Sequence, residues 1–178
     1  MSTAIIVMTG PESSGKTTLA THLAGYYKAP LISEVARDYL AGKNSYEKSD
    51  LLEIAKLQYQ EERRVVARRP KKIICDTDLL VVMIWSEVKY GCCDPWISET
   101  FEKGLHEQTS TRYYCLCDSK IPWENDQLRE NPDNRKALFE LYCQKLHKYK
   151  LVYQLVEGGP QERLRQVVGY FKSQKSCK

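Results

Sequence analysis

Eight consecutive residues near the amino end carry the plainest chemistry. Gly10-Pro11-Glu12-Ser13-Ser14-Gly15-Lys16-Thr17 satisfies G-x-x-x-x-G-K-[ST] at each fixed position. Glycines in such a loop let the backbone turn so that several N–H groups converge on phosphate oxygens, and the following helix adds its partial positive charge. Lys16 brings a point charge to the β- and γ-phosphates, and the Thr17 hydroxyl is a hard oxygen ligand for Mg²⁺. The expected ATP contacts are Gly10, Glu12, Ser13, Ser14, Gly15, Lys16, Thr17 and Thr18. ATP and Mg²⁺ are the expected cofactors.

A phosphate loop needs a carboxylate at the end of a neighbouring strand to hold the metal through its water shell. Asp76, directly after Ile73-Ile74-Cys75, has that position. Asp78 follows two residues later, and is read either as a group that orients an acceptor or as the N-cap of a helix starting at Leu79. Glu34 ends another short apolar run and heads the turn Glu34-Val35-Ala36-Arg37-Asp38-Tyr39. Three roles are open to Glu34: general base toward an attacking hydroxyl, hydrogen bond to a sugar, or ion pair with Arg37. The residue types leave open whether Glu34 or an Asp of the 76–78 pair takes the proton. Further along, a polar loop from Ser119 to Pro132 holds Trp123 and Arg129. A tryptophan in such a loop is either packed or waiting for a flat ligand, and Arg129 can act as a charge clamp on transferring phosphates.

These residues need a scaffold that gathers them at one edge. Ala4–Met8 is a continuous β-branched and apolar run, as in a strand buried on both faces. The spacing predicts a helix from Lys16 to about Tyr26 with Leu19, Leu23 and Tyr26 on one face. Strands are expected at 30–33, 73–76, 113–118 and 151–156. A helix behind Asp50 and Glu53, read as a capping box, repeats apolar or aromatic residues at 52, 55, 59 and 66 and stops before Pro70. The Arg residues at 63, 64, 68 and 69 suit its carbonyl end and read as a solvated face rather than a nucleic-acid stripe. Leu79–Trp85 is apolar all round and reads as a buried helix ended by Gly91. Asp94-Pro95 starts another through about His106, Asn131-Pro132 caps a sixth, and a final helix runs to about Ser173. Five strands separated by helices without hairpin signals predict an α/β, mostly parallel, doubly wound sheet. The expected organisation is one domain over 1–173 with a frayed tail at 174–178.

The chain has 178 residues, 42% hydrophobic and 28% charged, which excludes a globally disordered protein. There is no signal-peptide pattern, and no apolar stretch approaches the ~20 residues of a membrane helix. A net charge of +4 suits an anionic small ligand as well as nucleic acid, and on its own decides neither. Seven cysteines, without CxxC or zinc spacing, read as small buried thiols of a reducing compartment, so a cytoplasmic protein is expected.

Gly10–Thr17, Glu34-Val35-Ala36-Arg37, Asp76-Thr77-Asp78 and Pro122-Trp123…Asp126-Gln127-Leu128-Arg129 stand in this order along nearly the whole chain. Together they resemble the ribosylnicotinamide kinase domain of the bacterial bifunctional nicotinamide-nucleotide adenylyltransferase/ribosylnicotinamide kinase. The resemblance implies a P-loop kinase of NAD biosynthesis that moves the ATP γ-phosphate to the 5′-hydroxyl of nicotinamide riboside, with residues 123–129 as a lid. Three departures stand out. No adenylyltransferase domain is expected, because this sequence starts at the kinase's first strand. Ser33 occupies the place of an aromatic residue that would stack on the pyridine ring. Gln127 occupies the place of a lid glycine. Tyr39, Tyr59 and Trp123 are the candidate replacement platforms. The expected roles are then Lys16, Glu34 and Arg129 in catalysis, Thr17 and Asp76 at the metal, and Glu34, Arg37, Tyr59, Asp78 and Trp123 at the acceptor. Another nucleoside or small metabolite as acceptor, or an ATPase switch acting with a protein or nucleic-acid partner, are the alternatives.

Overall fold

A computed structural model of the chain describes residues 2–121 and 134–176, with side chains described as far as residue 172 at the carboxyl end. The elements run β1 (Thr3–Thr9), α1 (Lys16–Tyr27), β2 (Leu31–Ile32), α2 (Val35–Leu40), α3 (Lys48–Val66), β3 (Lys72–Cys75) and α4 (Leu79–Tyr90). They continue α5 (Pro95–Leu105), β4 (Ser110–Cys117), α6 (Arg135–Lys148), β5 (Tyr153–Val156) and α7 (Pro160–Ser176). The strands form one sheet in the order β2-β3-β1-β4-β5. Every pairing is parallel, so the sheet is wholly rather than mostly parallel.

β1 lies at the centre because it is apolar on both faces. Ile5 and Val7 face a core shared with α3, α4, α5 and α6, while Ile6 and Met8 face a second core under α1 and α7. All four are fully buried. Each such side chain contributes about 1.5–3 kcal/mol relative to exposure. The pairing Val7 with Cys75 and Thr9 with Leu116 aligns the strand ends. Gly10, Asp76 and Asp118 therefore leave the sheet along one carboxyl edge, where ligands bind in parallel sheets.

The helix ends follow local chemistry with some shifts. Gly91 closes α4 in the left-handed region at φ 72°, and Asp94 caps α5 by accepting from the Trp96 amide at 2.9 Å. α3 begins earlier than expected: Asp50 is its third residue, accepting from the Glu47 amide at 2.8 Å, while Glu53 instead pairs with Lys56 on the surface. The buried face of α3 is also rotated from the expected one. It consists of Leu51, Ile54, Ala55, Gln58, Glu62, Val65 and Val66, so two polar residues point inward. They can do so because each finds a partner there. α6 starts at Arg135 behind Asn134, and residues 131–132 lie outside the described residues. α7 continues to Ser176 rather than ending near Ser173. No helix among the described residues is long and apolar enough to cross a membrane.

Candidate phosphate-transfer site

The phosphate loop joins β1 to α1 with its special conformations at the expected places. Gly10 has φ 131°, and a Cβ there would lie 2.5 Å from the Cys117 carbonyl oxygen. Any larger residue would push the loop off the end of β4. Gly15 is the N-cap of α1 at φ 77°. Lys16 folds back over the loop, donating from Nζ to the carbonyls of Gly10 at 3.0 Å and Pro11 at 2.7 Å. The Ser14 hydroxyl donates to the Pro11 carbonyl at 2.7 Å. A cavity of about 260 Å³ lies over this loop. Glu12, Ser13, Ser14, Gly15, Lys16, Thr17 and Thr18 all border it, as do Glu34 and Arg37.

The structure brings Asp76 and Glu34 to this edge. Asp76 is 3% exposed, and its Oδ1 is buried without a hydrogen-bond partner among the described residues. Burial raises its pKa, opposed by the Thr17 hydroxyl and then by the positive charges of Lys16 and Arg37. A carboxylate with one orphaned oxygen, beside a threonine hydroxyl, fits Mg²⁺, a hard cation that takes oxygen ligands and keeps much of its water. Glu34 pairs with Arg37 Nε at 3.1 Å. Burial also raises its pKa; Lys16 lowers it, Asp76 raises it, and Arg37 lowers it.

Two arginines that local sequence patterns gave no reason to single out brace the loop. Arg163 of α7 is 2% exposed. It donates from Nε to the Gly158 carbonyl at 2.8 Å, from Nη2 to Asp118 Oδ1 at 2.6 Å, and from Nη1 to the Ser14 carbonyl. Arg135, at the start of α6, donates to the carbonyls of Ile121 at 2.8 Å and Ser13 at 2.9 Å. Each cation thus neutralises loop carbonyls and leaves loop amides free to turn toward an anion.

A second, smaller cavity of about 60 Å³ adjoins the first. Gly10, Glu12, Lys16 and Glu34 form its polar side; Val81, Ile84, Trp85 and Val88 of α4 with Leu138 and Tyr142 of α6 form its apolar walls. The Trp85 indole is fixed by donating to Tyr46 Oη at 2.8 Å. The all-apolar pattern of α4 concealed Trp85 and Val88 as pocket residues, because a buried face and a pocket wall carry the same composition.

Other expected acceptor residues stand elsewhere. Asp78 borders neither cavity. Its carboxylate is turned inward, where it caps α4 through the Leu80 amide at 3.0 Å and accepts from Tyr114 Oη at 2.7 Å. Tyr59 packs edge-on against Trp96, 5.9 Å between centroids, on the far side of α3. Tyr39 donates to Asp50 Oδ1 at 3.0 Å and lies under the Lys43 ammonium. Trp123, Gln127 and Arg129, and with them the expected lid, lie outside the described residues.

Comparison with known proteins places this geometry. A family model described as an AAA domain matches residues 5–163. No curated protein matches the chain. Among solved structures, NadR in complex with NR is similar at TM-score 0.69 and 21% identity, over 94% of this chain and 48% of that one. Thymidylate kinase from Ehrlichia chaffeensis is similar at TM-score 0.73 and 14% identity, over 96% and 100%. Deoxyadenosine kinase from M. mycoides follows at TM-score 0.65 and 13% identity, over 95% and 98%. The chain spans about half the length of the NadR chain it matches. At these identities the likeness establishes the fold, an α/β P-loop kinase fold with a five-stranded parallel sheet.

Proposed function

The chain belongs to the AAA domain family, and on that premise we propose that it is an ATP-dependent kinase for a nucleoside-like alcohol. The acceptor we put first is nicotinamide riboside, which would become nicotinamide mononucleotide. One observation carries this reading: Glu34 borders both the cavity over the phosphate loop and the apolar pocket beside it. A carboxylate shared by a phosphate cavity and a ring-sized apolar pocket is placed to take a proton from a hydroxyl between them.

The pocket chemistry favours a flat, cationic ring. Trp85 and Tyr142 offer aromatic surface, and Glu12 and Glu34 offer negative charge. A pyridinium nucleoside meets both demands, and Trp85 would take the place of the aromatic residue missing at Ser33. The similar NadR structure carries NR, which supports the same acceptor class. In this reading Lys16 binds the transferring phosphoryl group, and Arg37 holds Glu34 in place. Thr17 and Asp76 would hold Mg²⁺, which would supply neutralising charge to the phosphates.

The test is an acceptor panel scored for ADP release above the no-acceptor background. Nicotinamide riboside is expected to exceed uncharged nucleosides and non-aromatic alcohols. Release with another nucleoside alone would keep the kinase and change its acceptor. Release that ignores every small acceptor but responds to a protein or nucleic acid would replace the kinase by an ATPase switch.

A further inference from the structure

Thr77 links Asp76 to Asp78, and it has φ +100°. A β-branched residue there is strained, and such conformations persist only where their surroundings over-determine them. Both of its neighbours are restrained. On one side, the Asp76 amide donates to the Ile32 carbonyl at 2.9 Å and is locked to the sheet. On the other, Asp78 accepts from the Leu80 amide, from Tyr114 Oη at 2.7 Å and from Arg112 Nη1 at 3.3 Å. Arg112 is itself held by both carboxylate oxygens of Glu62 on α3, one at 3.0 Å. Asp76, Thr77 and Asp78 are all at most 3% exposed. Between two fixed residues, only Thr77 can absorb the misfit.

We propose that the buried network Glu62–Arg112–Asp78–Tyr114 is a positioning device for Asp76. By anchoring Asp78 it holds Thr77 in the left-handed region, and that backbone turn aims the Asp76 carboxylate at Thr17. None of the four touches either cavity over the phosphate loop; they act through one strained peptide. The inference rests on reading Asp76 as the metal's anchor.

The experiment measures equilibrium binding of a fluorescent ATP analogue with and without Mg²⁺, and takes the ratio of the two affinities. Mg²⁺ should tighten binding to the wild-type protein, and Asp76→Asn should abolish that ratio. If Asp76→Asn leaves the ratio intact, the metal reading fails and this inference fails with it. Tyr114→Phe removes only the hydroxyl from the network. It should lower the ratio severalfold, less than the ~10-fold that loss of a partner directly on a metal ligand costs, while Mg²⁺-free affinity stays near wild type. A purely structural role would weaken both affinities together, and an unchanged ratio in Tyr114→Phe alone overturns the inference while leaving the metal reading intact. Should Tyr114→Phe not fold, Thr77→Gly decides. Glycine accepts this φ freely and alanine does not, so metal-free Thr77→Gly should melt above Thr77→Ala, which loses the same side-chain contacts; a midpoint at or below that of Thr77→Ala means that no strain is held, and overturns the inference.

Discussion

The backbone amide of Val35 donates to Gln58 Oε1 at 3.0 Å, so a side chain in the middle of α3 fixes the residue directly after Glu34. Glu62, one turn further along the same helix, holds Arg112 and through it Asp78. A single helix face therefore backs the residue after Glu34 and, through Arg112, the residue two places beyond Asp76.

Lys16→Ala should leave less than about a tenth of wild-type turnover, because on the proposed reading the ammonium that would meet the β- and γ-phosphates is gone. The fold should survive. Lys16 is only partly buried and its two bonds here are to loop carbonyls. Steady-state ADP release beside a thermal melt checks both halves.

Glu34→Gln separates proton transfer from sugar binding. A lost general base lowers kcat by about 10²–10⁴ with little change in acceptor KM, whereas a lost positioning bond raises KM and spares kcat. The pKa of Glu34 is raised chiefly by burial. The wild-type acid limb of kcat should then lie above the ordinary carboxylate range. A raised native pKa also means that the folded protein binds more protons than the unfolded chain. Stability should fall as pH rises from the ordinary carboxylate range through the raised value. Glu34→Gln should flatten that part of the curve, and melts across pH measure it. Asp76→Asn carries the same sign, since burial raises Asp76 too.

Arg163→Met breaks an ion pair whose side chains are 2% and 6% exposed and leaves the buried Asp118 carboxylate with the exposed Lys120 ammonium, 3.6 Å from Oδ2, in place of a buried guanidinium. The expected loss is about 3–5 kcal/mol, or roughly 10 °C in a domain of this size. Because Arg163 also holds the Ser14 carbonyl, nucleotide affinity should fall even at temperatures where the variant is folded. Titration with an ATP analogue well below the melt tests this; full affinity would show that the brace does not shape the loop.

Trp85→Leu keeps apolar bulk in the pocket wall and removes the indole. Acceptor KM should rise about fivefold, near 1 kcal/mol, for an aromatic cationic nucleoside. A non-aromatic alcohol should be indifferent to the change. Equal effects on both would remove ring recognition from Trp85.

What could be read in the sequence was what is local. Strand, loop and helix around Lys16 are contiguous, and Asp76 follows its strand directly. Asp94-Pro95 and Gly91 mark helix ends by their own chemistry. What could not be read were polar residues whose partners lie far along the chain. Arg163 sits in a final helix rich in charge, and only its meeting with Ser14 and Asp118 distinguishes it from a solvated arginine. Gln58 and Glu62 carry no apolar signal for the same reason, so the expected buried stripe of α3 ran through Tyr59 instead. Asp78 was legible as a cap, but its inward turn depends on Arg112 and Tyr114 of β4, more than thirty residues later.

The sheet order bears on how the chain is made. β1 is the first strand in the chain and the central one, with Ile5 beside Ile73 on one edge and Arg112 on the other. At ribosomal speeds of about 5–20 residues per second, β4 follows β1 by on the order of ten seconds. Until β3 emerges the most apolar strand of the protein has two open edges, and until β4 emerges it still has one, the template on which chains aggregate. A nascent chain stalled before β4 should therefore be a strong client for chaperones, and the finished sheet should assemble late and all at once.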